Sequence, residues 1–142
     1  MTYVQHSKFV SPAKGTCYFP LLAEPDAYES CKWDLAGESA DRLPYWLNLY
    51  RTHNAGLLDE AVAVEVHLGK THPDAEADAR QRADACMQAF FYHLDVVAQE
   101  PNAFGRLDII SLGEAREFFL REHGFTDPYL LIKQRETETA LA

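Results

Sequence analysis

Two histidines and three carboxylates lie close together in the sequence and are the first candidates for metal chemistry. His67 and His72 are five residues apart, and the carboxylates of Asp59, Glu60 and Glu65 precede them. Imidazole and carboxylate groups are common ligands of zinc and manganese. The spacing, however, does not match a strong ligand pattern such as His-Glu-x-x-His. We therefore interpret both histidines as solvated surface residues, and we assign no metal ligand.

The three cysteines are the candidate nucleophiles. Cys86 stands among apolar neighbours, including Met87 and Phe90, whereas a reactive thiolate needs an electropositive and partly exposed setting. We therefore predict that Cys86 is a buried core thiol. Cys17 and Cys31 could be joined across a loop, but an odd number of widely spaced cysteines is typical of free thiols in a reducing compartment. The cysteines thus favour a cytoplasmic protein.

Two arginines flank an aromatic pair and are candidates for anion binding. Arg116 and Arg121 stand on either side of Phe118 and Phe119, and an anion site would use the guanidinium as a forked donor. Arg121 is explained equally well by an ion pair with Glu117, four residues before it. No glycine-rich phosphate loop, dinucleotide fingerprint or Gly-x-Ser-x-Gly motif is present. Residue types and spacing therefore predict no catalytic and no cofactor-binding residue.

An aromatic group lies before and within the first predicted helix. Trp33, Tyr45 and Trp46 could form a recognition patch, or they could anchor an irregular loop onto the core. Large aromatic side chains serve both purposes. We retain Trp33 and Trp46 as candidate interface residues.

Charge and composition exclude two classes of partner. The chain of 142 residues has a formal net charge of −9 and no lysine- or arginine-rich run, which argues against a nucleic acid partner. No apolar stretch approaches the roughly 20 residues of a membrane span, and the first residues lack the layout of a signal peptide. An apolar content of 47% with 25% charged residues is ordinary for a globular protein. We predict a single domain that binds neither nucleic acid nor membrane.

Hydrophobic periodicity predicts a mostly α-helical fold. Residues 1–18 are expected to form a loop-rich, partly disordered arm, and residues 19–142 a helical domain. A first helix starts near Asp41 and is broken or kinked at residues 54–56, which end in a glycine. The longest helix covers residues 74–99. Its apolar stripe consists of Ala79, Ala83, Cys86, Met87, Phe90, Leu94 and Val97. We expect an irregular bundle of four or five helices with this helix as its spine.

A capping motif marks the start of the next helix. Ser111 and Glu114 match the Ser-x-x-Glu capping box, and residues 107–110 before them are either a short strand or an extended connector. The apolar face of this helix consists of Leu112, Ala115, Phe118 and Phe119. We expect that face to be buried.

The end of this helix and the start of the following one also have clear signals. Gly124 ends the helix in a Schellman arrangement that brings Phe125 against Leu120. Asp127 and Pro128 then predict the cap and the first residue of another helix. The boundary between the two helices is thus predicted almost to the residue.

The same part of the chain resembles a known family. The likeness rests on residues 100–105 (EPNAFG), 115–117 (ARE), 120–129 (LREHGFTDPY) and 133–136 (KQRE). These runs resemble the pattern D-P-x-x-x-G … L-R-E-x-x-L-R-E-x-G-F-x-D … K-x-x-E-N of the DUF89 family, the damage-control phosphatases. The branch that the chain resembles most includes plant stand-alone members and the domain fused to some pantothenate kinases. Residues 19–22, 33–35 and 45–47 also resemble the opening segment of that branch.

Three residues depart from the family pattern. Ala115 stands where the family usually has Leu, Glu100 where it has Asp, and Thr137 where it has Asn. The change at Thr137 matters most, because a polar residue near a domain junction could contribute to a site.

The resemblance implies a division of labour between two domains. Family members are longer, and their metal ligands, an Asp/Asn/Asp set, lie in an α/β domain that follows the region matched here. The resemblance therefore implies a helical domain that walls or caps the metal site of a hydrolase acting on small phosphometabolites with Mn²⁺, Co²⁺, Ni²⁺ or Mg²⁺. We expect the catalytic domain to be absent from this chain, so that the chain holds no cofactor and is inactive alone. The alternatives are a stand-alone helical protein-interaction module without enzymatic activity and an unrelated all-α binding protein.

The start of the last helix is the expected partner surface. Leu130, Leu131 and Ile132 are consecutive, and at about 100° per residue they spread over roughly 200° of the helix. One domain face cannot easily bury all three. With Tyr129 before them, we expect these residues to contact the following α/β domain or, in the isolated chain, a second copy in a twofold dimer.

Overall fold

Four α-helices account for most of the chain that the structure describes. The computed structural model describes residues 33–69 and 73–141. The helices are α1 (Leu43–Leu68), α2 (Ala75–Gln99), α3 (Ile109–Glu122) and α4 (Leu130–Leu141). No strand occurs within these ranges, so the prediction of a mostly α-helical bundle is confirmed. The predicted arm at residues 1–18 lies outside the described residues.

Helices α1 and α2 form an antiparallel pair that is the frame of the fold. Their lengths of 26 and 25 residues correspond to roughly 39 and 38 Å. Arg51 of α1 is 2.6 Å from Asp95 of α2, and Glu65 is 2.7 Å from Arg82. Later residues of α1 therefore meet earlier residues of α2. The remaining elements pack on this pair.

The apolar stripe predicted for α2 lies in the core. Six of its seven residues are buried, and Met87 is half-buried against them. Burial of a large apolar side chain contributes roughly 1.5–3 kcal/mol, so this stripe contributes much of the hydrophobic stabilisation. The buried core residues are Leu35, Leu43, Leu47, Leu58, Ala61, Val62, Ala79, Ala83, Cys86, Phe90, Leu94, Val97, Leu107, Leu112, Ala115, Phe119, Leu120 and Phe125.

The first helix was predicted to be broken or kinked at residues 54–56, and the break is wrong. Helix α1 continues without interruption through residues 54–56. Asn54 is buried, and Leu58 follows it on the same inner face, whereas Gly56 is exposed. A glycine inside a helix costs about 1 kcal/mol relative to alanine. Burial of Leu47 and Leu58 on either side of the glycine outweighs that cost.

The start of α3 lies three residues before the predicted one. Asp108 is the N-cap, and its carboxylate accepts a hydrogen bond of 2.8 Å from the Ser111 N–H. The Ser111 hydroxyl accepts one of 2.9 Å from the Asp108 N–H. The capping box is therefore formed by Asp108 and Ser111, and the expected box of Ser111 with Glu114 is wrong. Asp108 takes this role because it is largely buried, where its carboxylate needs a donor.

The extended connector before α3 is fixed to the segment before α1. Residues 107–108 have no helical or strand structure, and the Leu35 N–H donates to the Leu107 carbonyl at 2.9 Å. Both leucines are buried in the core. Of the two alternatives for residues 107–110, the connector describes residues 107–108, while Ile109 and Ile110 already belong to α3.

The ending of α3 agrees with the prediction. Gly124 has a φ of +83°, and its N–H donates to the carbonyl of Arg121 at 3.0 Å. The N–H of Phe125 donates to the carbonyl of Leu120 at 2.9 Å. These are the two hydrogen bonds of a Schellman motif. Glycine is favoured at this position because other residues are strained at positive φ.

Helix α4 begins two residues later than predicted. The Asp127 carboxylate and carbonyl accept hydrogen bonds from the N–H groups of Tyr129 and Leu130, and the helix starts at Leu130. Asp127 and Pro128 therefore form a turn before the helix.

One of the four residues in the predicted inner face of α3 is less buried than expected. Leu112, Ala115 and Phe119 are buried, but Phe118 is only half-buried. The ring of Phe119 packs at 5.9 Å from that of Phe90 in the core. Phe118 meets Phe119 edge-on at a centroid distance of 5.4 Å and lies at the rim of the core.

Candidate functional site

A polar cluster joins α1, α3 and the start of α4. We call the side chains of Tyr50, Arg116, Glu117 and Tyr129 the Tyr129 cluster. The Tyr129 hydroxyl accepts a hydrogen bond of 3.3 Å from Arg116 Nη2 and donates one of 3.1 Å to Glu117 Oε1. The Arg116 guanidinium lies 5.3 Å from the centroid of the Tyr50 ring. The cluster therefore fixes the point where the chain enters α4.

The two charged residues of the cluster, Arg116 and Glu117, are consecutive on α3, and their long side chains converge on Tyr129. Arg116 Nη2 is 3.7 Å from Glu117 Oε1, and both side chains point toward Tyr129. Sequence analysis offered Glu117 as the ion-pair partner of Arg121. The structure instead places the Glu117 carboxylate beside Arg116 and Tyr129, while Arg121 is exposed.

Both phenols of the cluster keep their protons near neutral pH. Burial raises the pKa of Tyr50, an effect that Arg116 opposes and Glu117 reinforces. Burial also raises the pKa of Tyr129, with the same opposing and reinforcing neighbours. The Tyr50 hydroxyl donates to the Ile109 carbonyl at 3.3 Å. These tyrosines thus act as hydrogen-bond donors and not as general bases.

Two buried N–H groups near this cluster lack a hydrogen-bond acceptor among the described residues. They are Arg116 Nε and Asn54 Nδ2. Asn54 is 2% exposed and follows Tyr50 by one turn of α1. Buried polar groups are normally paired. Both donors would be satisfied by an acceptor such as a bound water molecule.

The aromatic residues expected at an interface form a second group at the beginning of α1. The ring of Trp46 lies 6.4 Å from Trp33 and 5.4 Å from Tyr45. The Arg42 guanidinium lies 4.1 Å from the Trp33 centroid. Trp33 and Trp46 also pack against the core, whereas Tyr45 is 63% exposed. The tryptophans therefore anchor the segment before α1, and Tyr45 presents its ring to solvent.

The two sets of expected interface residues lie on different elements, one around the beginning of α1 and the other at the start of α4. Trp46 precedes Tyr50 by one turn of α1. The Arg116 guanidinium contacts both the Tyr50 ring and the Tyr129 hydroxyl, so it connects the two tyrosines. The aliphatic residues after Tyr129 are all half-buried; they are Leu130, Leu131 and Ile132. Their role as an interface stays a prediction.

The carboxylates considered for metal binding have cationic partners. Glu65 pairs with Arg82, and Asp59 and Glu60 pair with other arginines. His67 is half-buried, and His72 lies outside the described residues. Within residues 33–69 and 73–141, no cluster of histidine, cysteine and carboxylate side chains could hold a metal ion. These residues therefore do not fit the divalent metal that the family resemblance implies.

Cys86 is a core thiol, as predicted. It is 2% exposed, and burial raises the pKa of its thiol to about 11. A thiol with such a pKa holds its proton at neutral pH and is a poor nucleophile. Cys17 and Cys31 lie outside the described residues.

A small cavity lies between α2, α3 and the connector that joins them. It is partly open and has a volume of about 20 Å³ between His93, Phe104, Leu107, Ser111 and Ala115, which is room for about one water molecule. His93 is buried, with its ring stacked 4.6 Å from that of Phe104. Burial lowers its pKa to about 4, so the imidazole is neutral at physiological pH. The cavity is too small for a metabolite.

Sequence analysis did not identify Arg82, whose guanidinium contacts α1, α2 and the end of α3. Its guanidinium donates to Glu65, to Asp78 and to the backbone carbonyl of His123, at 2.7, 2.9 and 2.9 Å. It also lies 4.8 Å from the centroid of the Phe125 ring. Only the acid at Asp78, four residues before Arg82, gave a local signal. These contacts show a structural role.

Comparison with known proteins identifies relatives over most of the chain. Pantothenate kinase 2 of Arabidopsis thaliana is 44% identical over 124 residues, which are 87% of this chain and 13% of that protein. Pantothenate kinase 2 of Oryza sativa subsp. japonica is 41% identical over 124 residues, 87% of this chain and 12% of that protein. The 4'-phosphopantetheine phosphatase of Mus musculus is 34% identical over 122 residues, 86% of this chain and 14% of that protein. The chain thus spans about an eighth of the length of these relatives.

The other comparisons add no match. No family model and no solved structure matches the chain. Within the described residues, no helix is both long and apolar enough to cross a membrane.

Proposed function

We propose that the chain acts as the helical domain of a phosphatase, and its relatives support a relation to the DUF89 family of damage-control phosphatases. In this proposal it walls or caps a site whose catalytic metal is held by another domain. The observation that carries the proposal is the 34% identity, over 86% of this chain, to a protein named 4'-phosphopantetheine phosphatase. The substrate would be a small phosphometabolite, and the location cytoplasmic.

The chemistry of the described side chains favours a structural role in this site over a catalytic one. The Cys86 thiol is protonated, and the carboxylates of Asp59, Glu60 and Glu65 are occupied by arginines. Phosphoryl transfer of this class needs groups that position and neutralise the phosphoryl oxygens. The wall would exclude water and shape the site around the substrate.

The Tyr129 cluster gives such a wall a defined geometry. Arg116 and Glu117 belong to the run by which the chain resembles DUF89, and they hold Tyr129 at the start of α4. A wall must keep its angle to the catalytic domain, because small misplacements of a site are costly to the rate. We propose that the cluster sets the angle at which α4 leaves the bundle.

A chimera tests this function. The segment of the mouse 4'-phosphopantetheine phosphatase that matches this chain is replaced by this chain, and release of phosphate from 4'-phosphopantetheine is measured. We expect the chimera to keep activity and a deletion of the segment to lose it. In a second arrangement this chain is added in trans to the deleted protein, which covers the case of a chimera that fails to fold. Activity unaffected by the deletion would contradict a role of this domain in catalysis.

The chain alone is the complementary test. Residues 1–142 are assayed with p-nitrophenyl phosphate, fructose 1-phosphate and 4'-phosphopantetheine in the presence of Mn²⁺, Co²⁺, Ni²⁺ or Mg²⁺. We expect no turnover, because the family resemblance implies that the metal ligands belong to another domain. Metal-dependent turnover that is abolished by changing one acidic residue of this chain would overturn the proposal.

A further inference from the structure

Two buried N–H donors between α1 and α3 have no acceptor among the described residues. They are Nδ2 of Asn54, a residue that is 2% exposed, and Nε of Arg116. Buried polar groups in native proteins are nearly always hydrogen-bonded. Two unpaired donors in one part of the core therefore indicate a partner that is not a side chain of the described residues.

Helices α1 and α3 run in the same direction and in a nearly constant register. Near their beginnings the Tyr50 hydroxyl donates to the Ile109 carbonyl, 59 residues further along the chain. Near their ends Arg82 donates both to Glu65 of α1 and to the His123 carbonyl at the C-cap of α3. Glu65 and His123 have almost the same separation in sequence as the first pair. A residue of α1 therefore lies level with the residue about 59 positions later in α3.

This register brings the two unpaired donors to the same level. Asn54 follows Tyr50 by one turn on the buried face of α1, and it lies level with Gly113 of α3. Side chains of an α-helix point toward its N-terminus, so Arg116 extends back toward the level of Gly113. Its guanidinium lies there 5.3 Å from the centroid of the Tyr50 ring. Both donors thus lie in one region between the two helices.

Gly113 leaves space in this region. A Cβ atom built on Gly113 would have one described atom outside its own helix within 4 Å, the Tyr50 hydroxyl oxygen at 3.3 Å. A larger residue would fill part of the gap between α1 and α3, and glycine does not. A guest of the size of a monatomic ion can therefore lie against the backbone of α3.

The hydrogen-bonding groups favour an anion over a water molecule as this guest. Both unpaired side-chain atoms are donors, and no buried acceptor of the described side chains is unpaired. A water molecule that accepts from both donors has two O–H groups of its own to place, whereas an anion only accepts. The Glu117 carboxylate lies 3.7 Å from Arg116 Nη2 and accepts from Tyr129. It therefore does not supply the acceptor that Nε lacks.

We propose that the gap between α1 and α3 binds chloride, which accepts hydrogen bonds from Asn54 Nδ2 and Arg116 Nε. Hydrogen bonds from a cation to an anion are stronger than those between neutral groups. The net charge of −9 and the neighbouring Glu117 oppose an anion, so we expect an affinity in the millimolar range. Arg116 also donates to the Tyr129 hydroxyl, so the anion holds the guanidinium that fixes the start of α4. Binding stabilises the folded chain in proportion to its occupancy.

Replacement of gluconate by chloride at constant ionic strength tests the site. The temperature at the midpoint of unfolding is measured on the whole chain as sodium chloride replaces sodium gluconate. We expect this midpoint to rise by roughly 3 °C or more across the series, and the NMR line of chloride to broaden when the chain is added. An unchanged midpoint would overturn the proposal and would assign the two donors to a water molecule.

Substitutions of asparagine separate this site from a general effect of salt. Asn54→Asp places a carboxylate beside Arg116 Nε and replaces the anion, so the midpoint should no longer depend on chloride. Asn54→Leu removes one donor and should also lose the dependence, which covers the case of an aspartate variant that fails to fold. Asn48→Asp makes the same change at an exposed position of α1 and should keep the full dependence. The same chloride dependence in all four proteins would refute the site.

Discussion

Arg82 Nη1 donates a hydrogen bond of 2.9 Å to the backbone carbonyl of His123, 41 residues further along the chain. This carbonyl belongs to the C-cap of α3, one of the groups that a helix end leaves without an intrahelical donor. The same guanidinium bonds to Glu65 of α1 and Asp78 of α2. A single side chain therefore joins the end of α3 to both helices of the frame.

Replacement of Arg82 should destabilise the fold more than its position near the surface suggests. Arg82→Ala leaves the Glu65 carboxylate and the His123 carbonyl without their donor, and we expect the free energy of unfolding to fall by about 2 kcal/mol. The free energy of unfolding of Arg82→Lys should lie between those of Arg82→Ala and the wild type, because an ammonium group cannot reach three acceptors as a planar guanidinium does. Urea unfolding monitored by circular dichroism measures both.

Arg80 is the matched control for Arg82. It lies two residues away on the same helix and pairs with Asp59, and both side chains are more than half exposed. Exposed ion pairs contribute about 0–1 kcal/mol, so Arg80→Ala should change the urea concentration at the midpoint of unfolding little. Equal effects of the two alanine substitutions would contradict the role assigned to Arg82.

The two adjacent phenylalanines of α3 should differ in their effect on stability. Phe119 is 5% exposed and packs against Phe90, so Phe119→Ala should cost about 3–5 kcal/mol. Phe118 is half-buried at the rim, and Phe118→Ala should cost clearly less. A larger loss for Phe118 in the same unfolding experiment would show that the face of α3 is assigned incorrectly.

Gly56→Ala should stabilise the chain. Gly56 lies inside α1, and a Cβ atom added there would meet nothing within 4 Å. Alanine is favoured over glycine by roughly 0.5–1 kcal/mol in a helix interior, and we expect the free energy of unfolding to rise by about this amount. Gly124→Ala is the opposite case, because its φ is +83° and the added Cβ would lie 3.1 Å from Arg82 Nη1. That substitution should destabilise, and a loss for both would indicate that α1 is not continuous at Gly56.

His93 should make stability depend on pH in the acid range. In the folded chain burial lowers its pKa from 6.5 to about 4, so the unfolded chain binds a proton first as the pH falls. The free energy of unfolding should therefore decrease between pH 6.5 and pH 4, by up to about 3 kcal/mol. The His93→Gln variant has no titrating group at this position, so its free energy of unfolding should depend less on pH in this range. Parallel profiles for the two proteins would contradict a buried neutral imidazole.

Sequence reasoning succeeded where the determining interactions are local. The ending of α3 is fixed by Gly124 and the hydrogen bonds of neighbouring residues, and all of these groups lie within one turn of the helix. The stripe of α2 was also predictable, because a helix of 25 residues repeats its pattern many times. For the chemistry of the site, the prediction of a core thiol at Cys86 followed from its apolar neighbours.

The failures have a common physical cause in contacts between distant parts of the chain. The capping box was predicted at Ser111 and Glu114, whereas in the structure the N-cap is Asp108, which is buried under the rest of the fold. The break at residues 54–56 was predicted from the cost of glycine, but that cost is offset by packing against α2. The Tyr129 cluster and the Arg82 contacts join different helices, and periodicity along one helix does not reveal them.

The hydrogen bond from Leu35 to Leu107 has a consequence for how the chain folds. Helices α1 and α2 are neighbours in sequence and can pair early, since short loops close at little entropic cost. The bond from residue 35 to residue 107 closes a loop that contains both helices, and contacts of such long range form slowly. Exchange of the Leu35 amide hydrogen with solvent should therefore report on the opening of this long-range loop.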